Sequence, residues 1–373
     1  MKLILLCLCV AAATASLAPL HLAKRRGIPN SFIIKAKDAA VLDQVEKDIL
    51  AKFESMRLAT PKVSKIRDLL PILTLRIPPH LLNTIRSIDG IEYIEQDALG
   101  ELFGQQQQDN PTWGIDRIDS RDGINNKYNY NDNVLGEGAK IYIVDTGTLK
   151  THSVFGGRVQ RIYGGEDDHG HGTHCGGTAA GTTYGIARKA TIYSVKVCNM
   201  YGSCPTSTLI AGLNVVSSYG RGVVSMSLGF SISPTIDAGV QKLLDANYVV
   251  SVAAGNSNSN ACNYSPAHIP GALTVAASDI HDFRASFSCW GSCVDLFAPG
   301  VNVKSAGIKH DDASATKSGT SMACPHVTGA AALYLGMNPS SMTVESDLLA
   351  NATPGKITNV NGSPNKLLFI GNM

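Results

Sequence analysis

The sequence predicts an α/β protein: a doubly wound, mainly parallel sheet with helices on both faces, preceded by a small α+β unit. Three observations carry this. From Trp113 onward, short β-branched and aliphatic runs alternate with helical patterns. Several of those runs are continuously apolar, as strands are when helices cover both faces of a parallel sheet. Upstream, from about Asn30 to Gly104, strand and helix patterns alternate in a Lys-, Leu- and Ile-rich segment that has neither cysteine nor tryptophan.

Taken in order, the first element is a secretory signal over residues 1–15. Lys2 supplies the positive start, Leu3 to Val10 the apolar run, and Ala13-Thr14-Ala15 the small residues before a cleavage site. The alternative is a short buried helix. The run is too short to span a bilayer, and no later stretch is long and apolar enough to do so. In the α+β unit, Ser31–Lys35, Ile72–Ile77 and Gly90–Asp97 read as strands. Ala40–Ser55 places Val41, Leu42, Val45, Ile49, Leu50 and Phe53 on one helical face, and Pro79–Ile88 is a second helix. The polar linker Gln105 to Gln108, followed by Asp109-Asn110-Pro111, is turn-prone and reads as a boundary and cleavage region. Beyond it the strands are Ala139–Val144, Thr191–Val197, Val223–Leu228, Val249–Ala253, Leu273–Ala277 and Val294–Phe297. The helices are Thr206–Ser218, Pro234–Ala246 and Ser321–Leu335. There is no internal repeat.

With 373 residues, 44% hydrophobic and 17% charged, the chain has the composition of an ordinary globular protein of two or three domains. Its net charge of +2 argues against nucleic acid or an anionic membrane as a partner. Of nine cysteines, Cys7 and Cys9 leave with the signal. An oxidising destination permits disulfides, and the odd number remaining leaves at least one thiol unpaired. Cys198 and Cys204, six apart around Gly202, are candidates to close a short loop. Asn263, Asn351 and Asn361 head glycosylation sequons.

Three short motifs fall at loop edges of the α/β pattern. In Ile143-Val144-Asp145-Thr146-Gly147 an acid ends an apolar strand, where α/β sheets open into a crevice. Taken alone, such an acid is often a turn or helix cap. Asp168-His169-Gly170-His171-Gly172-Thr173-His174-Cys175 carries histidines, the usual general bases near neutral pH. A metal site of His169, His171 and His174 is the rival reading. It lacks the Glu of a zinc-protease helix, and the glycines disfavour the helix that would align the ligands. Ser318-Gly319-Thr320-Ser321-Met322-Ala323-Cys324-Pro325-His326 places Ser321 at the start of an apolar helix. There the dipole and free N–H groups favour developing negative charge. Pro325 supports a position near the helix start, and the plainer role for Ser321 is a cap. The set in this order, Asp, His, Ser, is the chain order of subtilisin.

Asp145-Thr146-Gly147, His171-Gly172-Thr173-His174 and Gly319-Thr320-Ser321-Met322-Ala323 resemble the three active-site signatures of subtilisin-like serine proteases. The similarity runs through nearly all of 105–373. Trp113-Gly114-Ile115-Asp116-Arg117-Ile118 and Gly291 to Gly300 resemble the proteinase K and aqualysin branch. The resemblance implies a serine endopeptidase with Ser321 as nucleophile, His171 as base and Asp145 orienting it, and with Asn256 as oxyanion donor. It implies substrate binding by Ser225, Ser227, Leu228, Gly229, Ala253, Ala254 and Gly255, with aromatic or aliphatic preference before the cut. Phe230 stands where relatives commonly have glycine. It implies that 16–104 is a propeptide, a ferredoxin-like inhibitor domain at about 30–104 cut near Gly104/Gln105, and that 105–373 is the catalytic domain. Lys24-Arg25-Arg26 is either another processing site or a solvated basic patch. The family implies structural calcium: Pro270 and Ala272 through carbonyls with Asp295 match one site, and Asp116 with Asp119 match part of another. Cys262 and Cys293 match a disulfide of the aqualysin branch, Cys175 a buried thiol beside the catalytic histidine, and Cys289 and Cys324 have no assigned partner. The expected product is a secreted monomer acting on proteins and peptides and inhibited by its own propeptide. The competing classes are a catalytically silent relative with a binding or inhibitory role, and a cysteine enzyme using Cys175 or Cys324.

Overall fold

The computed structural model describes residues 17–23, 27–67, 70–98 and 105–371. The expected signal, the basic Lys24-Arg25-Arg26 triplet and the Gly104 side of the expected cut lie outside them. The chain divides into two compact units, Met1–Leu102 and Phe103–Met373.

The first unit contains β1 (Leu20–His21), β2 (Gly27–Ala36), α1 (Leu42–Ser55), β3 (Ser64–Ile66), β4 (Ile72–Arg76), α2 (Leu82–Arg86) and β5 (Ile91–Ala98). The sheet order is β1-β5-β2-β4-β3. Its β2-α1-β3-β4-α2-β5 connectivity with order β5-β2-β4-β3 is the ferredoxin-like split βαβ arrangement. Period-two burial in β2 (Phe32, Ile34, Ala36) meets Leu42, Val45, Ile49 and Phe53 of α1 in one core. The second helix is shorter than its pattern, because Pro79–Leu81 forms a 3₁₀ turn first.

The second unit opens with β6 (Gln105–Asp109), α3 (Trp113–Asp119) and β7 (Lys127–Asn131). It continues through β8 (Lys140–Asp145), β9 (Val159–Tyr163), α4 (His171–Ala180), β10 (Thr191–Lys196), α5 (Thr206–Ser218) and β11 (Val223–Met226). Next come β12 (Phe230–Ser231), α6 (Pro234–Asp245), β13 (Val249–Ala253), β14 (Tyr264–Ser265), β15 (Leu273–Ser278) and β16 (Leu296–Pro299). It closes with β17 (Val303–Ala306), β18 (Ser314–Lys317), α7 (Thr320–Met337), α8 (Val344–Asn351), β19 (Thr353–Pro354) and β20 (Lys366–Leu367). Nine strands form the main sheet in the order β19-β20-β16-β15-β13-β11-β8-β10-β9. All its pairings are parallel except β19 with β20.

Alternating residues of these apolar strands serve opposite cores. Ile141 and Ile143 of β8 pack with α4 and α7, whereas Tyr142 and Val144 pack with α5 and α6. That explains why the strands read as continuously apolar. The chain runs from β8 outward to β9 and β10, then returns to β11 on the other side of β8. The carboxyl end of β8 is therefore the topological switch point, where open α/β sheets form their crevice. Asp145 ends β8 there.

Two differences from the sequence pattern bear on function. The ladder of β11 ends at Met226, so Ser227 to Gly229 continue beyond the sheet. β16 enters the ladder only at Leu296, because Val294 closes a turn onto Gly291 and Asp295 binds back to Thr274 through both its N–H and its carboxylate.

Candidate active site

Asp145 is buried, and its two carboxylate oxygens lie 2.8 and 2.9 Å from His171 Nδ1. Oδ1 also accepts the Thr146 N–H at 2.7 Å. Burial opposes protonation of the His171 ring, but the adjacent Asp145 carboxylate outweighs it and holds the pKa well above the ordinary histidine value. Of the other histidines in the motif, His169 is exposed. His174 is buried, with Nε2 on the Val303 carbonyl at 2.9 Å, and burial pulls its pKa down to about 4. Of the three histidines, His171 is thus the one held against a carboxylate.

The glycines around it do not prevent a helix. The sequence expectation that they disfavour one is corrected by α4, which runs from His171 to Ala180 through Gly172, Gly176 and Gly177. The reason is close packing. A Cβ on Gly172 would lie 2.1 Å from the Gly147 carbonyl, and one on Gly177 would lie 2.5 Å from Ser305 Oγ. Tertiary contact outweighs the propensity cost of about 1 kcal/mol per glycine.

Ser321 is the second residue of α7, so its N–H has no intrahelical carbonyl to meet. Its hydroxyl donates to the Ser227 carbonyl at 3.2 Å, and among the described residues no hydrogen bond joins it to His171. Such contacts often tighten only when substrate binds. Pro325 lies one turn further into the helix than the start. With no N–H, it leaves the Ser321 carbonyl without its i+4 donor. Ser227 Oγ (3.0 Å) and Cys175 Sγ (3.3 Å) supply donors instead.

Asn256 follows the buried run Ala253-Ala254 and half-buried Gly255. Its Oδ1 accepts both the Thr320 N–H (2.8 Å) and the Thr320 hydroxyl (3.0 Å). Thr320 Oγ1 in turn accepts the Gly255 N–H at 3.1 Å. With the oxygen end occupied, the amide N–H₂ is left as donor beside Ser321. Ser227, Leu228 and Gly229 line a cavity of about 200 Å³ together with Asp145, Thr146, His169, His171, Cys198, Gly202 and Cys204. Ser225, Ala253, Ala254 and Gly255 are not on this surface. The Ser225 side chain is buried against Thr328 and Cys324, and Ala254 joins the core of Cys289 and Phe297. Phe230 packs against the α5–α6 core while its backbone pairs with Ser265.

Two positioning residues carried no sequence assignment. Asp167 is buried, and its carboxylate accepts from Thr146 Oγ1, from the His169 and Gly170 N–H groups, and from the Thr173 N–H and hydroxyl. It ties the residue after Asp145 to the start of the His171 helix. Thr320 orients Asn256 as described. Both stand inside or beside the motifs, but only their partners, distant in sequence, reveal their work.

The expected calcium ligands show carboxylates suited to a cation. Burial pushes Asp119 up to about 6, and its Oδ1 is buried with no hydrogen-bond partner, while Oδ2 accepts from Asn129. Each oxygen of Asp116 accepts one backbone N–H, from Asn125 and Asn126. Burial, with the nearby Glu345 charge adding to it, raises Asp295 to about 6. Pro270 and Ala272 stand in the loop leading into β15. An oxygen-preferring divalent ion fits such sites. Disulfides join Cys198 to Cys204 and Cys262 to Cys293, and Cys175, Cys289 and Cys324 are free and buried.

Residues 136–365 match the sequence profile of the subtilase family of peptidases. The chain is 42% identical over 309 residues to the alkaline serine exoprotease A of Vibrio alginolyticus, covering 79% of this chain and 57% of that one. It is 43% identical over 310 residues to the extracellular serine proteinase of Thermus sp. (strain Rt41A), covering 80% and 75%. The crystal structure of a cold adapted subtilisin-like serine proteinase superposes with a TM-score of 0.67 at 42% identity, over 70% of this chain and 98% of that one.

Proposed function

Because the chain belongs to the subtilase family of serine proteases, we propose that it is a secreted endopeptidase working through an Asp145-His171-Ser321 triad. The observation that carries this is the Asp145 carboxylate on His171 Nδ1 at 2.8 and 2.9 Å, at the switch point of the sheet and beside a helix N-terminus that presents Ser321. The Ser321 hydroxyl attacks the scissile carbonyl, and His171 Nε2 takes its proton. The tetrahedral oxygen then receives the Asn256 amide and the Ser321 N–H, and His171 hands the proton to the leaving amine. Water reverses the sequence on the acyl-enzyme. Asp145 fixes the tautomer and stabilises the imidazolium. Cys175 stays a thiol, since burial raises its pKa, and its place under His171 gives it no route to substrate.

The segment from Ala253 to Gly255 offers no bulky or charged side chain, since Ala253 and Ala254 are buried in the cores, which suits an aromatic or aliphatic side chain before the cut. Residues 16–104 would serve as propeptide, with the ferredoxin-like unit as template and inhibitor of a slow-folding parallel sheet. Calcium held by Asp116 and Asp119, and by Asp295 with the Pro270 and Ala272 carbonyls, would neutralise buried carboxylates and stabilise the fold. The name of the Thermus relative supports an extracellular destination.

The test is casein hydrolysis by the secreted wild type and by Ser321→Ala, with N-terminal sequencing of both. Activity should fall on the order of a millionfold, the loss known for subtilisin itself. A free N-terminus near Gln105 should form only in the wild type. A wild type that is secreted with calcium, inert and uncut would overturn the reading.

A further inference from the structure

Asn256 is an exposed residue on a loop, yet an oxyanion donor has to be held still. Gly255, just before it, has φ +107°, a backbone state open to glycine and to few other residues. That freedom makes the Gly255–Asn256 peptide a hinge unless it is tied from both sides. On one side Thr320 of α7 takes the Gly255 N–H and fills the Asn256 Oδ1. On the other stands Cys289. Its N–H donates to the Gly255 carbonyl at 2.9 Å. Its sulfur is so near that a Cβ on Gly255 would lie 3.0 Å from it. The same sulfur is 3.2 Å from Ser257 Oγ. The residues on both sides of Asn256 are therefore fastened to one cysteine.

The fastening is itself anchored. Cys289 is fully buried, and its neighbours run along the loop. Asn258 N–H donates to the Phe287 carbonyl (2.8 Å), Trp290 N–H to the Ser259 carbonyl (3.0 Å) and Ala261 N–H to the Trp290 carbonyl (2.8 Å). Arg284 Nη1 bridges the two segments through the Ser288 carbonyl at 2.6 Å and Asn258 Oδ1 at 3.1 Å. The Ser257 and Ser259 hydroxyls are 2.8 Å apart, and both meet the Tyr264 hydroxyl, at 2.9 and 3.0 Å. Burial opposes ionisation of the Cys289 thiol, but hydrogen bonds from Ser257 and Ser259 outweigh it and lower its pKa. The sulfur thus accepts from the loop that carries Asn256.

We propose that Cys289 is a positioning residue for Asn256: through Gly255 and Ser257 it sets the direction in which the Asn256 amide points. An amide held by Thr320 alone could swing about the Gly255 hinge, and its hydrogen bond to the tetrahedral oxygen would weaken. The inference rests on the protease reading above.

The experiment is a double-mutant cycle of Cys289→Ala with Asn256→Ala, read as kcat and KM of the matured protein on succinyl-Ala-Ala-Val-Phe p-nitroanilide. Cys289→Ala alone is expected to lower kcat about tenfold, a part of the hundred- to thousandfold that losing the donor costs. KM should stay, because the weakened interaction is made only in the transition state. In the Asn256→Ala background the same change should cost nothing further. A peptide aldehyde, whose adduct with Ser321 presents an oxyanion to the amide, should bind more weakly in step with kcat. Cys289→Ser, whose hydroxyl can still meet Ser257, should recover most of the loss. Should Cys289→Ala fail to fold, Ser257→Ala removes the other end of the contact at an exposed position, and its kcat should fall only while Asn256 is present. An equal loss with and without Asn256, a higher KM at constant kcat, or an unchanged kcat would overturn the proposal. A wild type inert on the anilide would instead sink the protease reading, and the positioning role with it.

Discussion

A single carboxylate sets the working range of this site. In the proposed reaction His171 must be neutral to accept the Ser321 proton, and Asp145 holds its pKa well above the ordinary value. The rate should therefore be low at pH 6.5 and rise with pH through the elevated pKa, giving an alkaline plateau. In Asp145→Asn the attraction is lost, so the acid limb of kcat/KM moves to lower pH while kcat falls on the order of 10⁴-fold. A pH profile of both proteins checks this, and an unmoved limb would show that Asp145 does not govern the ring. At this scale the sequence was most informative. Asp145, His171 and Ser321 stand out by motif and order, whereas Asn256 enters only through the family resemblance. Asp167 and Thr320 could not, because their work is defined by partners such as Thr146 and Asn256, many residues away.

Among elements, α4 is where local preference and structure part. Its glycines argue against a helix when read locally, yet Gly172 and Gly177 are short of the space a methyl needs. Gly177→Ala would press Cβ to 2.5 Å from Ser305 Oγ and 2.9 Å from Ala306 Cβ. Such overpacking costs about 1–3 kcal/mol, and thermal unfolding should show a Tm several degrees lower. An unchanged Tm would mean that β17 yields without cost. The same logic applies to α7. Pro325 looks like a start signal, but its structural effect is to leave the Ser321 carbonyl for Ser227 and Cys175.

For the whole molecule, the parallel sheet places β8 at the switch point, and two helices bring His171 and Ser321 to its end. Cores on both sides hold that arrangement, and the desolvated carboxylates of buried Asp119 and half-buried Asp295 weigh against it unless a cation meets them. Removing calcium with a chelator should lower the Tm by several degrees, since ligand at a hundred times its Kd is worth about 2.7 kcal/mol. Asp119→Asn should reduce that difference. A Tm indifferent to chelator in both proteins would overturn the assignment.

By itself the sequence determined the alternation of strands and helices, the two-sided burial of the sheet, the order of the three motifs and the α+β character of the first unit. These are written in local periodicity and in residue chemistry. Only the tertiary structure decided that the glycine-rich stretch is a helix, that Ser225 and Ala254 face the core, and that Thr320 holds Asn256 and Asp167 ties the loop after Asp145 to the start of the His171 helix. The physical reason is that packing and hydrogen bonding act between residues far apart in the chain, and no local pattern records who a side chain's distant neighbour will be.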